Sequence, residues 1–109
     1  TTATATATAT VTVSVTASLD PAKTAAFHEA RAPLVTATRA EAGNVSYGFY
    51  ADPFEDGSYR IFEEWADQDA VDAHMSTDHM AAFMGAIGDF GVTGIDLNSY
   101  QASNKTKFM

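Results

Sequence analysis

Four side chains in this 109-residue chain have the types and spacing that proton chemistry needs: Glu63, Trp65, His74 and His79. Glu63 and Trp65 stand two apart in the run YRIFEEW, so on a strand they share a face. A carboxyl buried against an indole loses hydration, and that raises its proton affinity. An imidazole titrates near neutral pH and can take or return a proton if it lines a pocket. His74 and His79 are five apart. On one regular helix a metal-binding pair stands at i and i+4, so five is a poor spacing. A zinc site also ordinarily shows three well-spaced protein ligands, and no metal is expected. Each residue has an ordinary structural reading too. Glu63 could pair with Arg60, Arg39 or a backbone donor, Trp65 could be core, and the histidines could sit on a helix surface; the same holds for His28.

The elements that must position these groups are legible from periodicity. Residues 1–17 alternate Thr or Ser with Ala or Val, which reads as a strand with Val11, Val13 and Val15 on one face. Asp20-Pro21 opens a helix over residues 22–41, with Ala26, Phe27, Ala30, Leu34, Ala37 and Thr38 on one stripe. Pro33 inside it predicts a kink or break near Ala30, and Gly43-Asn44 its end. Residues 45–51 form a second strand with Val45, Tyr47 and Phe49 on one face. Residues 52–58 are turn-rich and close a hairpin onto a third strand, 59–65. There Tyr59, Ile61, Glu63 and Trp65 share a face, and Arg60, Phe62 and Glu64 take the other. Asp67 caps a second helix, and Ser76-Thr77-Asp78 offers a fresh cap, so that helix breaks and restarts. Met80, Phe83, Met84 and Ile87 then make an apolar stripe that ends by about Gly88. Residues 94–102 alternate as a fourth strand through Ile95, Leu97 and Ser99.

The order β-α-β-β-α-β predicts an α+β, ferredoxin-like fold: a four-stranded antiparallel sheet with its helices on one face. Residues 1–109 read as one domain, with 1–8 and 103–109 as extended or loosely held ends. The other face of the sheet would be bare, and a second copy of the chain is the simplest cover, so a homodimer is expected. Net charge −8 argues against nucleic acid and anionic membrane as partners. No apolar run approaches the roughly 20 residues that span a bilayer. The first residues lack the basic-then-apolar pattern of a secretory leader, and a cytoplasmic protein is expected. The chain has no Cys, which removes thiolate ligands, disulfides and Cys nucleophiles. Gly-rich phosphate loops, a Ser-His-Asp order and a Gly-x-Ser-x-Gly elbow are also absent.

Two runs carry a resemblance. TRAEAGNVSYGFYADP (38–53) and RIFEEWADQDAVDAHMSTDHMAAFM (60–84) resemble the antibiotic biosynthesis monooxygenase family, over about residues 11–100. Membership implies a dimeric α/β barrel of two facing sheets, and in each subunit a pocket between sheet and helices. It also implies oxygenation of quinols or polyketide aromatics without metal, flavin or haem. Trp65 matches the Trp lining the pocket of polyketide-oxidising members, whereas their Asn four residues earlier is Ile61 here and their Tyr six residues later is Val71. Haem-degrading members carry an Asn on the first strand, where this chain has only Thr, Val, Ser and Ala. Glu63, His74 and His79 match the quinol-monooxygenase-like and autoinducer-processing members.

The expected activity is therefore cofactor-independent oxidation of a small quinol or polyketide-like aromatic by O₂. His74 or His79 would be the base, with Glu63 and Trp65 completing the catalytic group, and Tyr47, Phe49, Tyr59, Ile61, Met80 and Phe83 shaping the pocket. Two alternatives use the same residues: an isomerase or lyase acting on a small oxygenated metabolite, and a non-enzymatic dimeric ligand-binding or stress protein.

Overall fold

A computed structural model describes residues 10–109; the Thr-Ala repeat predicted as a strand and a loose end at 1–8 lies outside the described residues. The first described strand, β1 (Val11–Leu19), alternates buried and half-buried along its length, as its Val/Thr alternation dictates. Asp20 accepts from Ala22 N at 3.0 Å and opens a short 3₁₀ turn, Pro21–Lys23, before helix α1 (Thr24–Arg39). Strands β2 (Asn44–Ala51) and β3 (Ser58–Trp65) make the hairpin. Helices α2 (Gln68–Met75) and α3 (Asp78–Ala86) are the two pieces of the second helix. A 3₁₀ turn (Ile87–Phe90) ends on Gly91 at φ 62°, and strand β4 (Val92–Gln101) follows.

The sheet is antiparallel in the order β2-β3-β1-β4. The order of elements is the predicted ferredoxin-like one, and no helix is long and apolar enough to cross a membrane among the described residues. Register places Val11, Val13 and Val15 opposite Trp65, Glu63 and Ile61, and Tyr47 and Phe49 opposite Glu63 and Ile61. These share the face on which the helices lie. One core cluster joins Val11, Val13, Val15, Ala17, Tyr47, Ile61 and Trp65; a second joins Leu19, Phe27, Tyr59 and Phe90; Phe49 packs against both. The other face carries Thr12, Ser14 and Thr16 opposite Glu64, Phe62 and Arg60, and Arg60 Nη1 donates to Ser14 Oγ at 2.7 Å. Phe62, Tyr50 and Tyr100 stand exposed.

Two expectations need correction. Helix α1 runs unbroken through Pro33. Pro33 and Glu29 are both exposed, so water can take the Glu29 carbonyl that the missing N–H leaves free. The same helix ends at Arg39, short of Gly43-Asn44, because Ala40 N and Glu41 N bond back to Ala37 O and Thr38 O and tighten the last turn. Gly43 is required for another reason: a Cβ there would collide with the Cβ of Ala70 on α2. The fourth strand forms as expected; its Ile95 and Leu97 lie on the helix side, opposite Ala17 and Val15, and are exposed because β4 is an edge that the helices leave uncovered. Residues 102–109 have no regular structure, although Lys105 Nζ reaches Glu64 Oε2 at 3.4 Å.

Candidate active site

The parity of β3 sends Glu63 and Trp65 inward side by side, and Trp65 Nε1 donates to Glu63 Oε1 at 2.9 Å. Trp65 is 0 % exposed and Glu63 8 %. Asp67 caps α2 by accepting from Ala70 N at 2.8 Å, which sets the phase that brings His74 in the last turn over the indole. The two ring centroids are 4.7 Å apart, and His74 is 2 % exposed. Tyr47, from β2, closes the other side with its ring 5.7 Å from His74.

The break between α2 and α3 decides where His79 goes. Thr77 Oγ1 donates to His74 O at 2.7 Å and accepts from Met80 N at 3.3 Å, so one side chain ends the first helix and caps the second. The chain turns there, and His79, in the first turn of α3, folds back to a ring separation of 6.0 Å from His74. The five-residue spacing that is poor on a regular helix thus becomes close across two helices.

Glu41 joins them. It lies just past the end of α1, and its Oε2 accepts from His74 Nδ1 at 2.7 Å and from His79 Nε2 at 2.8 Å. A carboxylate only accepts, so each of those ring nitrogens carries a hydrogen. In a neutral ring the remaining nitrogens, Nε2 of His74 and Nδ1 of His79, are then left as proton acceptors. His79 is the outer member, with 24 % of its side chain exposed against 3 % for His74 and 14 % for Glu41. One ligand atom from each of the three lies within 4.8 Å of the others, which also fits a two-histidine, one-carboxylate metal set. Its separations of 2.7 and 2.8 Å are hydrogen-bond lengths. A metal about 2.1 Å from each atom would widen them to roughly 3 Å.

Charge in the cluster is shaped by its dryness. Burial pushes the Glu63 carboxyl above its ordinary value; the Trp65 hydrogen bond and His74 pull it down, and the Glu41 charge adds a smaller upward push. Burial also raises the Tyr47 phenol, helped by Glu63 and then Glu41. The cluster therefore holds one carboxyl that resists ionisation and another that grips two imidazoles.

Not all the expected site residues meet here. Glu63, Trp65, His74, His79 and Tyr47 converge, and Ile61 packs in the same core. Tyr59 and Phe83 belong instead to an aromatic group with Phe27 and Phe90, and Phe49 lies 5.7 Å from Tyr47 and 6.1 Å from Phe83. Met80 is half-buried beside His79 in the chain. Glu41 was not among the residues expected, and its only sequence signal is its place in the 38–53 run. A surface recess of about 510 Å³ lies instead against Thr10, Val11, Gln68, Gln101, Ala102 and Ser103. It has no titratable side chain, so the chemistry points to the buried cluster and not to that groove. A recess of about 350 Å³ at the hairpin loop includes Tyr59 alone of the expected residues.

The model of the family described as "Antibiotic biosynthesis monooxygenase" matches residues 10–86. An uncharacterised protein of Synechocystis is 37 % identical over 51 residues, which cover 47 % of this chain and 35 % of that protein; the match thus spans about a third of the relative's length. Among solved structures, a Caulobacter crescentus protein provisionally assigned as an antibiotic biosynthesis monooxygenase superposes with TM-score 0.83 at 25 % identity, covering 90 % of this chain and 93 % of that one. A Deinococcus radiodurans protein with the same provisional assignment gives 0.83 at 23 %, over 91 % and 98 %. A conserved protein of Methanosarcina mazei gives 0.82 at 21 %, over 90 % and 97 %. The last two, below 25 % identity, speak to the fold alone.

Proposed function

The chain belongs to the antibiotic biosynthesis monooxygenase family, and from that membership we propose that it oxidises a small quinol- or anthrone-type aromatic with O₂, using a Glu41–His79 base. The observation that carries the reading is the single Glu41 oxygen held between two imidazoles beside a sealed Trp65–Glu63 pair. Such a carboxylate fixes both tautomers and stabilises an imidazolium once it forms. His79 is the base because it alone of the pair is open to a reactant. His74 is the positioning residue, pinned on Trp65 and holding Glu41 from behind.

The substrate supplies the electrons. His79 removes a proton from an acidic ring CH₂ or phenol, and the resulting anion passes an electron to O₂. The carbon–oxygen bond forms, giving a peroxide, and loss of water leaves the carbonyl: CH₂ and O₂ become C=O and H₂O. The dry aromatic wall of Phe49, Phe83 and Trp65 keeps that anion from being reprotonated by solvent. Burial raises the proton affinity of Glu63 and so disfavours a second negative charge beside that anion. The bare sheet face with Phe62, Tyr50 and Tyr100 supports a homodimer.

An oxygen electrode tests the reaction with metal-free protein and a panel of hydroquinones and anthrones. Uptake above buffer background, falling about 10²-fold or more in His79→Ala, is expected. An equal rate in that variant, or turnover that continues without oxygen, refutes the assignment. Phe62→Arg, examined by light scattering, tests the dimer: a shift from dimer to monomer is expected, and a monomeric parent protein contradicts it.

A further inference from the structure

Arg31 occupies the middle of α1 on the stripe that faces the sheet, four residues after Phe27 and three before Leu34, both buried. Its guanidinium carbon lies 5.9 Å from the ring centroid of Phe27 and 5.8 Å from those of Phe49 and Tyr59. Among the described residues, the buried Nη1 has no hydrogen-bond partner and no carboxylate pairs with this side chain. The setting is costly. A guanidinium keeps its charge inside proteins, and an unpaired buried donor forfeits its hydration. Three aromatic rings offset part of that through cation–π attraction, but they supply no acceptor.

The missing acceptor defines a ligand. It must present an anionic oxygen to a fork that favours carboxylates, and an apolar body to the surrounding rings. Phe83 closes the group, 6.2 Å from Phe27 and 6.1 Å from Phe49. Phe49 also leads away from Arg31, 5.7 Å from Tyr47, whose ring is 5.7 Å from His74. The cation and the triad thus stand at two ends of one aromatic wall.

We propose that Arg31 is the anion-binding residue of this site, and that the molecule it takes is an aromatic bearing a carboxylate. The carboxylate seats on Arg31 and turns the ring toward Glu41, His74 and His79. The choice of an oxidisable ring rests on the reaction proposed above; the anion site itself does not.

The test uses calorimetric titration of the full chain with 2,5-dimethoxybenzoate, which hydroquinone oxidation cannot consume, and with its methyl ester. The acid should bind at least about tenfold more tightly than the ester. Arg31→Met and Arg31→Gln should erase that preference, and Arg31→Lys should restore part of it. Because the buried Nη1 has no partner to lose, the ligand-free Arg31→Met protein should also melt no lower than the parent, whereas a merely structural arginine would lower the melting temperature. Equal affinity for acid and ester, no binding of either, or a preference that survives Arg31→Gln overturns the proposal. Oxygen uptake with 2,5-dihydroxybenzoate is read separately. Tight binding of the dimethoxy acid with no uptake sinks the reaction and leaves the anion site standing.

Discussion

Replacing Glu41 by Ala removes the carboxylate and with it the two hydrogen bonds that its Oε2 accepts, at 2.7 and 2.8 Å. The two donors are not equivalent. His74 is nearly sealed, so its Nδ1–H loses its partner with no water to replace it, at a cost of about 2–3 kcal/mol for a charged acceptor. His79 keeps a quarter of its side chain in water, and its share falls to about 0.5–1 kcal/mol. The expected loss is about 3 kcal/mol, a large part of the roughly 5–15 kcal/mol that holds such a domain together. For a chain of this length it corresponds to a melting temperature lower by roughly 10–20 °C. Glu41→Gln can still offer an oxygen to both rings without the charge, so it should lose about half as much. Urea denaturation of the parent, Glu41→Ala, His74→Ala and the double variant measures the coupling directly. A coupling below about 0.5 kcal/mol would show that the network contributes nothing net, and that the site is held by packing of Trp65 and Tyr47 alone.

Three further outcomes follow from the same geometry. Glu63 sits above its ordinary value of 4.5, so the folded protein retains a proton there that the unfolded chain has released. The stability this contributes is fully present below the unfolded value and is lost as pH rises through the folded one. Glu63→Gln should therefore flatten that decline and be more stable than the parent at neutral pH, and parallel urea curves from pH 4 to 8 would refute it. Gly43→Ala should cost about 1–3 kcal/mol by driving a methyl into Ala70, with Ala70→Gly restoring most of the loss in thermal melts. Zn²⁺ should suppress oxygen uptake by taking the ring nitrogens of the triad, with chelator restoring the rate; uptake that rises with the metal and falls with chelator would instead make it part of the reaction.

Much of this arrangement is written in local pattern. The two-residue period of β3 separates Glu63 and Trp65 from Arg60, Phe62 and Glu64, and the burial follows that division. Ser76-Thr77-Asp78 announces the break between α2 and α3, since a hydroxyl followed by an acid is a helix start. The consequence of the break was not local. Whether His79 turns toward His74 or away depends on how α3 returns across α1, and periodicity within one element carries no such information. Glu41 lies in a turn, where there is no period to read. Arg31 does lie on the stripe of Phe27 and Leu34. A long basic side chain at such a place ordinarily runs its stem along the core and its head to water, and only the three rings around it set it apart. Pro33 misled because its cost depends on which side of the helix it faces.

Thr77 spans the corner between α2 and α3, and Glu41 clamps a histidine from each. The atoms of the proposed base and of the latch are therefore the same. If the Glu41 grip fails, α2 and α3 lose their common tie to the end of α1, and the lid over Trp65 lifts as one piece. Substrate entry and local unfolding would then share a first step, and amide exchange along α2 and α3 should quicken together when Glu41 is replaced. On the proposed reaction, rigidity added at that corner would slow substrate entry as well as local unfolding.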